Sequence, residues 1–406
     1  ALWSGLAAMA SAWLARRGIP VGLSFPLAWT LIEAGKAAGV LGFPWGSIGY
    51  AMADTPHIIQ FASLTGLWGV TLWVLLVNGA VHAYLDLPWA VPKASALIVL
   101  ALLFGAPFTH GRYVLEHKPP RPAVRVGLIQ PNTDKDKWTS DVRGDVLDDL
   151  LAHTRFLAEA EADQLPVLMV WPETAVPAFL PREVEQLARV RGLVDSMGVA
   201  LLTGYPDGTL REDRSWRVTN SAGLFLPGRG RVAQYDKRHL VPFSEYMPLP
   251  ILDLFDFGQS SFSPGTVSGV MDAFDPPFGV LICFESIFPG PSRDLAQNGA
   301  RFLVNITNDQ WFGDSAAPVQ HLRMNVLRVI ENRMGMARAA NTGISAILDP
   351  YGFLTRTSVT FEPVRFAGPV ELSRGTTFYT RHGDWILWVA GVLLGGMFLW
   401  ACRRPR

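Results

Sequence analysis

Residues 278–285 read Phe-Gly-Val-Leu-Ile-Cys-Phe-Glu: an apolar run, then a cysteine, an aromatic ring and a carboxylate. A run this short, with Val280 and Ile282 in it, fits a buried strand better than a helix. Cys283 then stands at a strand end, where a side chain projects into the crevice along the carboxyl edge of a sheet. Taken alone, a buried structural cysteine is the better reading, because free cysteine is among the most buried residue types. A second stretch has the same form. Val167–Trp171 is an apolar strand candidate closed by Pro172 and Glu173. A carboxylate there suits a general base when partial burial raises its proton affinity, although a loop glutamate at a strand end is common.

Outward from these two stretches, strands and helices alternate. Val124–Gln130 reads as a strand, and the charged, periodic stretch Ser140–Asp163 as the helix leading to Val167–Trp171. Further strand candidates are Val199–Tyr205, Ser221–Leu226, Val280–Cys283, Arg301–Ile306 and Ile344–Leu348, and Val319–Ala339 reads as one long amphipathic helix. This is α/β patterning, and about 270 residues of it suffice for one enzyme-sized core.

A third polar segment runs from Asp236 to Tyr246 between apolar flanks and carries Lys237, Arg238, His239 and Glu245. A solvated loop is its bland alternative. For His239 a structural or hydrogen-bonding role is preferred to a Cys–His dyad. No zinc-type ligand spacing, P-loop or GxGxxG accompanies these residues, so no metal and no cofactor is expected.

Together the three segments become specific, because Glu, Lys and Cys occur in that order at strand ends of one α/β domain. On these residues the chain resembles the nitrilase superfamily, whose Glu-Lys-Cys set matches Glu173 in Trp-Pro-Glu, Lys237 in Asp-Lys-Arg and Cys283 in Ile-Cys-Phe-Glu. The resemblance covers residues 124–369 and implies an αββα sandwich. Within that superfamily the chain is similar to the apolipoprotein N-acyltransferases. His239–Tyr246, Asn308–Asp314 and Arg338–Gly343 carry this likeness, with Gly42–Trp45 and Arg381–Asp384 outside the domain. The resemblance adds Glu245 as a second acidic residue, places Phe284 and Glu285 beside the nucleophile, and puts Trp138 on a loop near the entrance. Phe284 departs from the tyrosine familiar at its place, so no hydroxyl acts there.

The rest of the chain points to lipid. Hydrophobic residues make up 49% and charged ones 17%, and the mean hydropathy is +0.22, greasier than a soluble domain of this size. Charges are sparse before Arg112. Crossing the hydrocarbon core takes about 20 apolar residues; the candidates are 1–14, 21–38, 61–84, 91–109 and 385–402. Glu33 and Lys36 interrupt the second, so its end is expected at an interface or a polar cavity. The family usually carries eight such helices against about five here, and the chain opens on Ala1 within an apolar stretch, so upstream helices are expected to be missing.

The expected layout is transmembrane helices over 1–110, a catalytic domain over 111–384, a closing helix over 385–402 and a tail over 403–406. Lys and Arg favour cytoplasmic loops, which puts the Arg403–Arg406 tail and Arg16–Arg17 in the cytoplasm and the catalytic domain in the periplasm, anchored in a bacterial inner membrane. The loop 39–60, with Phe43, Trp45 and Tyr50, reads equally as interfacial lining or an ordinary aromatic belt. Zero net charge without a long basic run excludes a nucleic-acid partner. Cys283 and Cys402 lie in contexts too different to form a disulfide.

What the resemblance implies is acyl transfer from a phospholipid to the N-terminal amine of a diacylated apolipoprotein through a Cys283 thioester. Glu173 is then the base, and Lys237 with the Phe284 N–H stabilises the oxyanion. The apolar segment 251–262 reads as a lid or as a packed hydrophobic loop, and a monomer is the default. Two rivals stay open: a membrane-tethered amidase or nitrilase, and a transporter or receptor whose α/β domain only binds ligand, which Glu33 and Lys36 would suit.

Overall fold

The structure, a computed structural model, describes residues 2–86, 94–133, 140–212, 214–248 and 261–403. Trp138 and residues 251–260 of the expected lid lie outside them. The chain forms two compact units, residues 120–376 and residues 1–119 with 377–406.

Among the described residues the 120–376 unit holds two six-stranded sheets. In the first, β1 (Ala123–Gln130), β2 (Leu168–Val170) and β3 (Ala200–Leu210) run parallel. β4 (Trp216–Leu226) and β5 (Gly230–Asp236) follow as antiparallel neighbours, and β12 (Val364–Glu371) lies antiparallel on the far side of β1. Two successive reversals make β5 run the same way as β2. The residues following β2 and β5, among them Glu173 and Lys237, therefore emerge at one edge.

The second sheet centres on the parallel strands β7 (Phe278–Ile282), β8 (Phe302–Thr307) and β9 (Met336–Ala340). β6 (Val270–Met271) flanks β7, and β10 (Ala346–Leu348) and β11 (Leu354–Thr357) continue beyond β9. β7, β8 and β9 are buried throughout, on both faces, which is why none of them alternates between apolar and polar residues. β11 is exposed at every position, as an edge strand tolerates.

Side chains from both sheets interdigitate in one core, with Val126, Leu128, Val170, Leu202 and Leu224 against Phe278, Val280, Phe302, Val304 and Ala337. α5 (Ser140–Ala160) and α6 (Val184–Met197) cover the outer face of the first sheet through Leu147, Leu150, Val190 and Leu193. α7 (Pro289–Gln297) packs on β7, and α8 (Ala317–Asn332) packs on α7 and on the turn after β7. The layers run α-β-β-α, the sandwich that the resemblance implied.

One expectation is corrected. The single helix expected over 319–339 ends at Asn332, where Arg333 takes a left-handed conformation with φ 51°, and residues 336–340 form strand β9. Both halves are buried and hold charged residues, Arg328 and Glu331 in one and Arg338 in the other, so periodicity did not expose the break that Arg333 and Gly335 make.

In the other unit, α1 (Leu2–Ala15), α2 (Val21–Lys36), α3 (Ala62–Asp86), α4 (Ala94–Glu116) and α10 (Trp385–Arg403) are helical, with a short α9 (Phe378–His382) before the last. Among the described residues three helical stretches, Ile59–Leu85, Ala94–Glu116 and Trp385–Arg403, are long and apolar enough to cross a membrane. α1 and α2, with 14 and 16 residues, are shorter. α2 and α3 touch at Gly22 and Gly79, where a Cβ on Gly22 would stand 2.8 Å from the Gly79 carbonyl oxygen; small residues allow such close backbone approach. Glu33 is 1% exposed and accepts hydrogen bonds from Trp29 Nε1 at 2.9 Å, the Ile48 N–H at 3.1 Å and Thr71 Oγ1 at 3.3 Å. Both its oxygens are engaged within the unit, so the carboxylate pins the loop after α2 and needs no ligand.

Candidate active site

Three strand ends bring the chemistry together. Glu173 lies on the turn after β2, buried at 5% exposure, with the left-handed Thr174 (φ 45°) behind it. Its Oε1 accepts from Asn220 Nδ2 at 2.7 Å and its Oε2 from the Asn308 N–H at 2.8 Å. Lys237 follows β5 directly, and its backbone N–H and C=O bond Asn220 and Gly265. The ammonium, 1% exposed, sits 3.2 Å from Glu173 Oε1 and 2.8 Å from Glu245 Oε1. Asn220 Nδ2 also reaches Glu245 at 3.0 Å and so ties both carboxylates together. The second Glu245 oxygen accepts from the Val241 N–H at 2.8 Å.

Cys283 follows β7 and starts a short 3-10 turn. Its φ is 50°, a left-handed conformation that costs a non-glycine residue about 1–3 kcal/mol unless the surroundings enforce it. Glu285 does much of the enforcing. Fully buried, it accepts hydrogen bonds from Tyr235 OH at 2.7 Å, the N–H groups of Arg238 at 2.8 Å and His239 at 3.1 Å, and the Ile282 N–H at 2.8 Å. One carboxylate thus joins the segment after Lys237 to the strand before Cys283. Phe284 is buried edge-on to Phe288, with ring centroids 5.0 Å apart.

The electrostatics set two pKa values. Burial alone would lower that of Lys237, but Glu173 and Glu245 overturn this and hold the ammonium charged, above the ordinary lysine range. Desolvation pushes the Cys283 thiol well up although part of the residue stays accessible, and the Glu173 charge adds to the rise. Lys237 opposes it. The resting thiol is therefore protonated, with an ionisable carboxylate and a fixed cation within electrostatic reach.

Behind Cys283 lies a second buried network. The Cys283 carbonyl oxygen accepts from Ser286 Oγ at 3.0 Å and faces His321 Nε2 at 3.2 Å. His321 Nδ1 is 2.9 Å from Asp309 Oδ1, which also accepts from Thr307 Oγ1 at 2.9 Å, while Arg338 Nη2 donates to Asp309 Oδ2 at 2.8 Å. Donor atoms of Cys283, Asp309 and His321 approach within 4.8 Å of one another, a spacing that fits a metal ion. With Asp309 committed to Arg338, Thr307 and His321, the set reads as a hydrogen-bond network, since an added cation would face Arg338 and Lys237.

The carbon-nitrogen hydrolase family matches residues 125–362, and the apolipoprotein N-acyltransferase N-terminal domain matches residues 1–80. An apolipoprotein N-acyltransferase from Geobacter metallireducens is 36% identical, over 95% of this chain and 73% of its own length. Proteins of the same name from Chlorobaculum tepidum and Pseudomonas aeruginosa are 32% and 31% identical over 95% and 97% of this chain, each covered over 77%. The chain belongs to the apolipoprotein N-acyltransferase family. Among solved structures, the amidase from Nesterenkonia sp. AN1 aligns with 67% of this chain and 97% of its own, at 18% identity and a TM-score of 0.48.

As a member of this family with, among the described residues, three helices of membrane-crossing length, the protein is a membrane-associated acyltransferase. Glu173, Lys237, Glu245 and Cys283 gather in one cluster, and Phe284 and Glu285 follow Cys283 in its turn. Asn220, Thr307 and His321 were not singled out from the sequence: each sits within an apolar strand or an amphipathic helix, where nothing local separates it from a packing residue. Asn308, Asp309 and Arg338 stood in the family-like stretches without a role, and the structure gives each a bond to make.

Proposed function

We propose that Cys283 is the nucleophile of a ping-pong acyl transfer from a phospholipid to the α-amine of a lipoprotein's N-terminal diacylglyceryl-cysteine. The observation that carries the reading is the buried Glu173–Lys237–Glu245 cluster beside a protonated thiol. A free thiol is a poor nucleophile near neutral pH. Glu173 takes its proton as the sulfur attacks the ester carbonyl, and the Lys237 ammonium, with the Phe284 N–H beside it, stabilises the oxyanion. A preorganised donor of this kind contributes about 3 kcal/mol. Collapse expels the lysophospholipid, which takes the proton back from Glu173, and leaves a thioester. The incoming amine then loses its proton to Glu173 as it attacks the thioester carbonyl; the C–S bond breaks, the Cys283 sulfur leaves and takes that proton back from Glu173, and the amide is released.

The catalytic unit lies on the periplasmic side of a bacterial inner membrane in this reading, supported by Arg16, Arg17 and the Arg403–Arg406 tail as cytoplasmic markers. One chain carries the whole cluster, which supports a monomer. The rival transporter loses its main support, because Glu33 is saturated by Trp29, Ile48 and Thr71.

Intact-protein mass spectrometry tests the proposal. After incubation with phospholipid, wild type gains one fatty-acyl mass and Cys283→Ala does not; a diacylated peptide with a free N-terminal cysteine then removes it and becomes acylated on nitrogen. No adduct on wild type, or an adduct lost to water with the peptide unmodified, rejects the acyltransferase in favour of a binder or a hydrolase respectively.

A further inference from the structure

β7 and β8 pair in parallel with Ile282 opposite Ile306, so the next residues along, Cys283 and Thr307, are neighbours at the sheet's carboxyl edge. Thr307 is fully buried, and its hydroxyl has one proton and two acceptors within reach. One is Asp309 Oδ1 at 2.9 Å; the other is the Cys283 sulfur, which lies within 4.8 Å of an Asp309 carboxylate oxygen and whose pKa a Thr307 hydrogen bond lowers. We propose that the Thr307 hydroxyl is a catalytic donor that turns from Asp309 to the Cys283 sulfur as the thiol ionises.

Three features make the exchange physically sound. Asp309 can give up this bond, because Arg338 Nη2 at 2.8 Å and His321 Nδ1 at 2.9 Å still satisfy it. Arg338 and His321 are themselves fully buried, so Asp309 holds its place while the hydroxyl rotates. The sulfur gains a donor only when it carries charge, and hydrogen bonds to ionised groups are the stronger ones. The charged groups that face the thiol are Glu173, Lys237 and Asp309, and two of these three are anions that oppose ionisation. A neutral donor aimed at the sulfur offsets them without adding charge. Proton accounting is simple: the thiol proton passes to Glu173, Thr307 keeps its own, and once the thioester has formed the hydroxyl returns to Asp309.

The role rests on Cys283 being the nucleophile, and its test needs no lipid. Iodoacetamide alkylates the thiolate, and peptide mass spectrometry separates Cys283 from the exposed Cys402. The pH profile of Cys283 alkylation is measured for wild type, Thr307→Val, which keeps the shape and loses the hydroxyl, and Thr307→Ser, which keeps the hydroxyl and loses the methyl. Thermal melting confirms that each variant folds. The expected result is a Thr307→Val profile displaced upward by about one pH unit, roughly tenfold slower at a given pH, with Thr307→Ser within about twofold of wild type. Acyl-thioester formation falls in parallel. A valine profile superimposable on wild type overturns the proposal, as does a serine variant as slow as valine, which would mark a packing effect. Normal behaviour of this series with no acyl adduct on wild type would overturn the acyltransferase reading and leave the Thr307 donor standing.

Discussion

The Lys237 ammonium lies closer to Glu245, at 2.8 Å, than to Glu173, at 3.2 Å. Glu245 therefore carries part of the lysine's charge and leaves Glu173 freer to accept a proton. Glu245→Gln should draw Lys237 fully onto Glu173. Acyl-thioester formation in single-turnover experiments is expected to slow by about ten- to hundredfold, within the range a general base supplies, with little change in lipid binding. An unchanged rate would reduce Glu245 to a structural partner.

Gly204 lies directly against the Glu173 turn. A Cβ there would stand 2.7 Å from the Pro172 carbonyl oxygen, 2.7 Å from the Thr174 nitrogen and 2.8 Å from the Glu173 Cα, all backbone atoms with no flexible end to yield. Gly204→Ala should cost about 1–3 kcal/mol of stability and displace the Glu173 backbone, lowering the acylation rate by about a hundredfold, as misplacement of a reacting group by ~1 Å does. Melting temperature and single-turnover rate are the paired readouts. A loss confined to stability would show that the turn relaxes without moving the carboxylate.

Glu285 collects four hydrogen bonds, three of them from backbone N–H groups. Glu285→Ala leaves those donors buried without an acceptor, at about 1–3 kcal/mol each. The variant should melt far below wild type, whereas Cys283→Ala, which strands no buried polar group of this kind, should melt close to it. Equal melting temperatures for the two variants would refute the clamp.

Stability should also fall on the acid side in two stages. Burial, aided by Arg338, lowers the His321 pKa from 6.5, so the folded chain favours the neutral ring; that contribution is complete above 6.5 and is lost as pH falls below it. His239, also lowered by burial, adds to the same stage. Burial alone would raise the Asp309 pKa, but Arg338 and His321 overturn it and hold the carboxyl well below its usual range, so its contribution persists until pH drops below about 4. His321→Gln should flatten part of the first stage of a melting-temperature profile and leave the acid limb. A variant profile parallel to wild type between pH 7 and pH 5 would remove His321 from the account.

The α/β order was legible because its central strands are short and mostly apolar; Phe278–Ile282 is apolar throughout, and Phe302–Thr307, with Asn305 inside it, is buried at every residue. Burial on both sides hid the break at Arg333, where helix and strand each mix apolar residues with a buried arginine, Arg328 and Arg338. Glu173 and Cys283 could be picked out because each is an ionisable side chain set abruptly at the end of an apolar run, whereas Lys237 follows the polar Gln234 and Asp236 and stood out through the Glu-Lys-Cys order of the resemblance. Asn220 and Thr307 could not: the partners of Asn220, Glu173 and Glu245, lie far along the chain, and Thr307, two residues before its partner Asp309, closes its strand with nothing local to separate it from a packing residue. Asn220 in β4 meets Glu173 after β2, a contact that exists only once β3 and β4 have paired.

The Glu285 clamp has a pharmacological side. It locks the turn that presents the sulfur to the segment that follows Lys237, and it does so with protein groups alone. The warhead of a covalent inhibitor would thus meet the sulfur and the ammonium at a spacing already set before any lipid binds. Scaffolds can be ranked by how well they match that spacing, with no conformational penalty charged to the target at this point.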